Sequence, residues 1–324
     1  MAGIEQGNQD MKQLITPTES AVGIDVIDEH IKQELQSLSM GIEAFLKNPE
    51  PRAWDPPDLD HLTRHESEKK FLQNLCLPCY KSGHPSFLLH DLDACNGDEV
   101  EGLFGDDQHM CVTVVIIFVL NHSYVKGCRA ICNTSGSGKM RRILESLTKF
   151  WGFYFVVIPD WHGVGVQDLQ DALLDAARYE EWVSDLRPLS PDERVTQSAT
   201  SSCIASKLFK KVLAAWLVVF ELFLELAVKV DGELLEKHKH FWLLFQLHDH
   251  INSQVGTIHP CVKVIQTCLR EASTEALEIL LTHFDPICAK YLPPKHFIIV
   301  LDEAQHAIQL HPHSFTSSLN AEVL

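Results

Sequence analysis

Residues 133–140 read Asn133-Thr134-Ser135-Gly136-Ser137-Gly138-Lys139-Met140, and the interpretation of this turn decides the fold. Before it comes Cys128-Arg129-Ala130-Ile131-Cys132, a short strand pattern. After it, Met140, Ile143, Leu144, Leu147, Phe150 and Trp151 mark one face of a helix. A loop that holds phosphate needs backbone N–H groups converging on one concavity and glycines that let the backbone come close. It also needs a lysine to reach the outer phosphates and a helix start to add its dipole. Gly136, Gly138 and Lys139 meet these needs in a strand–turn–helix setting. Against the pattern G-x-x-x-x-G-K-[ST], Gly138 and Lys139 fit, while Asn133 stands at the first glycine and Met140 at the hydroxyl position. Asparagine is the least costly substitute where a left-handed backbone is wanted. A thioether is a poor Mg²⁺ ligand, so Met140 weakens the metal half of the site. The competing interpretation is an ordinary Gly/Ser turn.

Working outward, Phe153 to Ile158 (FYFVVI) reads as a strand stopped by Pro159-Asp160, and Val112 to Leu120 (VTVVIIFVL) as a buried strand. Far downstream, Phe297 to Leu301 (FIIVL) is an apolar strand that runs into Asp302-Glu303. A strand beside a phosphate loop should end this way. Asp302 would meet Mg²⁺ and Glu303 would polarise an attacking water. The plainer interpretation is a buried strand followed by a solvated acidic loop. Lys126, Arg129, Arg141 and Arg142 bracket the loop, either as positive potential for a triphosphate or as a solvated face.

The helical patterns cover Asp28 to Lys47, Asp168 to Trp182, residues 203–250 and Val262 to Phe284, with 184–202 loop-like. Strands alternating with helices predict an α/β sheet. The expected division is residues 1–108 as an N-terminal helical and irregular region and 109–324 as a nucleotide-binding domain. A helical insertion of about 165–290 is expected to separate its two motifs. Only 21 residues follow Glu303, so the sheet is expected to be C-terminally incomplete.

The formal net charge of -17 argues against a general nucleic-acid coat, which needs a basic surface. Ten scattered cysteines in 324 residues do not make a disulfide scaffold, and the N-terminus lacks a cationic, apolar leader, so an intracellular chain with reduced thiols is expected. Val212 to Val228 is the most apolar stretch. It carries Glu221 and Glu225, which disfavour a membrane span and predict a helix buried on most sides. Cys76, Cys79, His84 and His90 have zinc-ligand chemistry without a known zinc spacing. The pairs His238/His240 and His248/His250 point to different helix faces, which prevents chelation by either pair.

The NTSGSGK turn after a strand, the WGFYF strand and the late LDEAQ resemble a P-loop NTPase of the division with an additional catalytic glutamate. The likeness runs to AAA-type and signalling ATPases and is strongest to uncharacterised fungal P-loop proteins; it covers roughly residues 125–305. It implies a three-layer α/β fold and ATP or GTP bound by Asn133, Ser135, Gly136, Ser137, Gly138, Lys139 and Met140. It further implies Mg²⁺ at Asp302 and water activation by Glu303. The departures favour binding over turnover: a nucleotide-binding protein with weak ATPase activity or a nucleotide-dependent switch. The alternative is a degenerate, non-catalytic P-loop fold that serves as a protein-interaction module.

Overall fold

The structure, a computed structural model, describes residues 24–49, 65–75, 77–78, 86, 88–94, 139–157, 165–247, 258–292, 297–302, 311 and 313–314. In chain order these form α1 (Ile24–Lys47), α2 (Glu66–Asn74), a 3₁₀ turn (Leu92–Ala94), α3 (Lys139–Lys149) and β1 (Gly152–Val156). There follow α4 (Asp168–Ala176), α5 (Pro191–Asp231), α6 (Lys237–Gln246), α7 (Pro260–Thr267), α8 (Thr274–Leu281), α9 (Phe284–Tyr291) and β2 (Ile298–Asp302).

The expected three-layer α/β sheet is not what forms. The described residues are mostly helical, and their one sheet is the parallel pair β1–β2, with Gly152 opposite Ile298 and Val156 opposite Asp302. The reason is visible at β1. Backbone groups alternate from edge to edge along a strand. Ile298 N–H donates to Trp151 C=O on the β2 side, and Val157 N–H to Asp302 C=O. On the opposite edge, Tyr154 N–H donates to Gln246 Oε1 at 2.7 Å. Gly152 C=O there accepts from Gln246 Nε2 at 3.1 Å and Trp242 Nε1 at 2.8 Å. One glutamine of α6 thus takes the place that a third strand would need at this end of β1. The strands expected at Val112–Leu120 and 128–132 lie outside the described residues.

The core is centred on α5, a helix of 41 residues. Its start was missed in the sequence, where 184–202 reads as loop. Yet Ser190-Pro191-Asp192-Glu193 carries proline at the first helical position and a glutamate that accepts from Ser190 N–H at 2.9 Å. Trp216, Phe220, Phe223 and Ala227 of α5 are fully buried, while Glu221 is half-buried and Glu225 exposed. Among the described residues no helix is long and apolar enough to cross a membrane. Helix α1 buries Ile31, Leu38, Ile42, Phe45 and Leu46 in the same core. Ion pairs of Lys229 with Glu43 at 2.8 Å and Lys263 with Glu34 at 2.5 Å tie its outer side to α5 and α7.

The sheet separates two apolar clusters because side chains alternate across it. Phe153 and Phe155 face α5, with Phe155 5.1 Å from the Trp216 ring. Tyr154, Val156, Ile298 and Val300 face α3 and pack with Ile143, Leu144 and Leu147. At Gly152 the approach is close: a Cβ there would lie 2.2 Å from the Ile298 carbonyl oxygen and 2.8 Å from Leu147 Cδ2. Gly152→Ala is therefore expected to lower stability by about 1–3 kcal/mol through overpacking against backbone. Urea unfolding curves check this, and an unchanged midpoint would mean that β1 and β2 separate freely at this end.

Candidate functional site

Two residues, Phe150 and Trp151, link α3 to β1, so the helix doubles back over the sheet, and Leu147 near its end lies against Gly152 at the strand's start. Ile143 and Leu144 of α3 pack with Tyr154, Val156 and Val300 on one face of the sheet. Lys139 is the first residue of α3. Asp302 is the last residue of β2 and is partly exposed. Its Oδ2 accepts from the Tyr154 hydroxyl at 2.7 Å. Gly165 has φ +99°, and a Cβ there would lie 2.4 Å from Val156 Cγ1. Only glycine meets both conditions without strain.

Of the expected nucleotide-binding residues, Asn133, Ser135, Gly136, Ser137 and Gly138 lie outside the described residues, as does Glu303. Met140 is partly buried and packs against the apolar cluster of Leu89, Ile143 and Leu144. Its thioether belongs to the core side of α3, so the second residue of this helix supplies no oxygen to a metal. Asp302 offers a carboxylate, the ligand type that Mg²⁺ takes singly or in pairs from protein beside phosphate oxygens and waters.

The cationic flank reads differently in three dimensions. Arg141 Nε donates to Glu145 at 2.7 Å, and its terminal nitrogens donate to the carbonyls of Leu88, His90 and Asp91. Arg141 is thus a clamp that ties the first turn of α3 to the 88–94 segment, where Asp91 has φ 49°. Arg142 is about half exposed and pairs with Glu145 at 3.6 Å.

Among the described residues no group of three or more His, Cys, Asp or Glu side chains could hold a metal ion. Cys76, Cys79 and His84 lie outside those residues, and the His90 ring bonds the Leu75 carbonyl at 2.8 Å. His238 is fully buried between α5 and α6. Its Nδ1 accepts from Leu235 N–H at 2.9 Å and its Nε2 lies 2.7 Å from Asp231 Oδ2. His259 is also fully buried, with Nδ1 accepting from Cys261 N–H and Nε2 on the Phe245 carbonyl.

One polar group escaped the sequence reading. Asp168, the first residue of α4, is buried behind the sheet. Its Oδ1 accepts from Leu169 N–H at 2.8 Å and its Oδ2 from Trp216 Nε1. Burial pushes its carboxyl up to about 7, against the pull of these two donors and with a further push from Asp171. An aspartate opening a helix reads as a solvated cap in sequence, and nothing local signals that Trp216, 48 positions away, covers it.

Compared with protein-family models, with curated proteins and with solved structures, the chain gives no significant match.

Proposed function

We propose that the chain binds a nucleoside triphosphate, ATP or GTP, at the carboxyl edge of β1 and β2, with the 133–139 turn around the phosphates. The observation that carries this reading is the convergence of two motifs far apart in sequence. The helix that opens at Lys139 packs Ile143 and Leu144 on one face of the two-stranded sheet whose second strand closes at Asp302. Bound Mg²⁺ would neutralise phosphate charge and draw on the Asp302 carboxylate. Lys139 contributes a positive charge and the start of α3 its dipole. Met140 packs inward and gives no hydroxyl, which favours binding and switching over efficient hydrolysis. In this reading Glu303 is the residue for any residual turnover. The reading carries with it an intracellular location, where nucleoside triphosphates are held. It gives no role to nucleic acid, in keeping with the charge of -17. Protein partners would sense the nucleotide state.

The test is equilibrium binding of fluorescent mant-ATP and mant-GTP to the full chain, with Mg²⁺ and with chelator. Lys139→Ala is expected to weaken binding by about 10-fold or more, the loss of one charge-assisted hydrogen bond of ~1.5–3 kcal/mol. Binding that is absent, or indifferent to Lys139, would remove the reading.

A further inference from the structure

We infer that His238 is a pH-sensitive latch: its neutral ring closes the turn between α5 and α6, and protonation opens that turn. This device needs no nucleotide. Helix α5 ends at Asp231, Gly232 takes a left-handed φ of 84°, and α6 starts at Lys237. His238 stands in the first turn of α6, with a side chain that is 0% exposed. Both of its ring nitrogens are engaged. A backbone N–H can only donate, so Nδ1, which takes the Leu235 N–H at 2.9 Å, carries no proton. The single proton of the neutral ring then sits on Nε2 and is donated to Asp231 Oδ2 at 2.7 Å. The backbone makes the reciprocal contact, with His238 N–H donating to the Leu235 carbonyl at 3.0 Å.

An imidazolium does not fit this arrangement. Its second proton would stand on Nδ1 and face the Leu235 N–H, donor against donor, where water does not reach. The charges around the ring act in both directions. From α5, Asp231 favours the charged form, but its carboxylate also takes Lys237 Nζ at 2.8 Å. From α6, Lys237 opposes that form. Glu236 and Lys239 pair with each other at 2.5 Å, and Glu233 in the turn is exposed. Burial first, and the Lys237 charge with it, outweigh Asp231 and hold the ring below its ordinary 6.5. The closed turn thus binds fewer protons than the open one, so closure is complete above 6.5 and weakens as pH falls below it. The latch lies one helical turn from Trp242, whose Nε1 holds the Gly152 carbonyl. Acid therefore loosens the start of the same helix that covers the outer edge of β1.

The experiment follows amide exchange at Leu235 in the full chain from about pH 8 to about pH 5, each rate divided by the intrinsic rate at that pH, with Val219 in mid-α5 as reference. In the wild type, protection of the Leu235 N–H should fall below pH 6.5, by up to about 10-fold per pH unit, while Val219 keeps its protection. NMR of the His238 ring should show the Nε2–H tautomer and a titration midpoint below 6.5. His238→Gln, whose amide does not titrate, should remove the pH dependence at Leu235 whatever level of protection remains. Protection at Leu235 that is indifferent to pH, a loss shared equally by Val219, or the same pH dependence in His238→Gln would overturn the inference. So would a wild-type ring midpoint at or above 6.5, a result that does not depend on any variant folding.

Discussion

Asp168 is expected to make a contribution to stability that is lost as pH rises from about 4 to about 8. Its carboxyl ordinarily titrates at 3.8, and in the folded chain burial pushes it up to about 7. Between those values the folded state keeps a proton that the unfolded chain has released. The unfolded state then binds fewer protons, so the unfolding free energy falls with rising pH. The stabilisation is fully present below 3.8 and is lost as pH climbs through about 7. The gap corresponds to about 4 kcal/mol, a large part of the ~5–15 kcal/mol that holds a typical domain together. Asp168→Asn is expected to flatten this slope. It has a cost of its own: Leu169 N–H and Trp216 Nε1 both donate to the carboxylate, and an amide can accept from one while its NH₂ faces the other. A buried donor left this way costs about 1–3 kcal/mol. The variant should therefore be less stable than the wild type at pH 5 and overtake or match it by pH 8. Urea midpoints across this range read the crossing directly. Parallel curves for the two proteins would show that Asp168 ionises freely in the fold.

Local pattern carried much of this architecture. The helical spacing from Asp28 finds α1, FYFVVI and FIIVL find the two strands, and the alternation of Phe153, Tyr154 and Phe155 accounts for two sheet faces. The nature of the sheet was not legible. That β1 ends its pairing on Gln246 is decided by a side chain 92 residues away, and no periodicity encodes it. Two apolar strands and a Gly/Ser turn are equally compatible with a large sheet, and the long helix α5 took the core instead. At the candidate site, the sequence singled out Asp302 from its strand-end position but missed Tyr154. The hydroxyl looks like part of an aromatic run until β2 is laid beside it.

The strongest single loss of stability should come from Trp216→Ala. The ring is fully buried and lies 5.8 Å from Phe153, 5.1 Å from Phe155 and 6.1 Å from Trp242, and it stacks on His259 at 5.6 Å. Truncating a buried tryptophan costs about 3–5 kcal/mol in transfer and cavity terms. Here the same change strips Asp168 of its Trp216 N–H partner, so α4, α5 and the sheet lose their common contact together. Trp216→Phe separates the two effects, because it keeps most of the ring contacts and deletes the N–H. That donor acts to hold the Asp168 carboxyl down. Without it the carboxyl should titrate higher still, and the fall of stability with pH should extend further to the alkaline side. Trp216→Phe is thus expected to resemble the wild type near pH 4 and to fall increasingly behind it toward pH 8. If its deficit is instead the same at every pH, Trp216 acts on this core by packing alone.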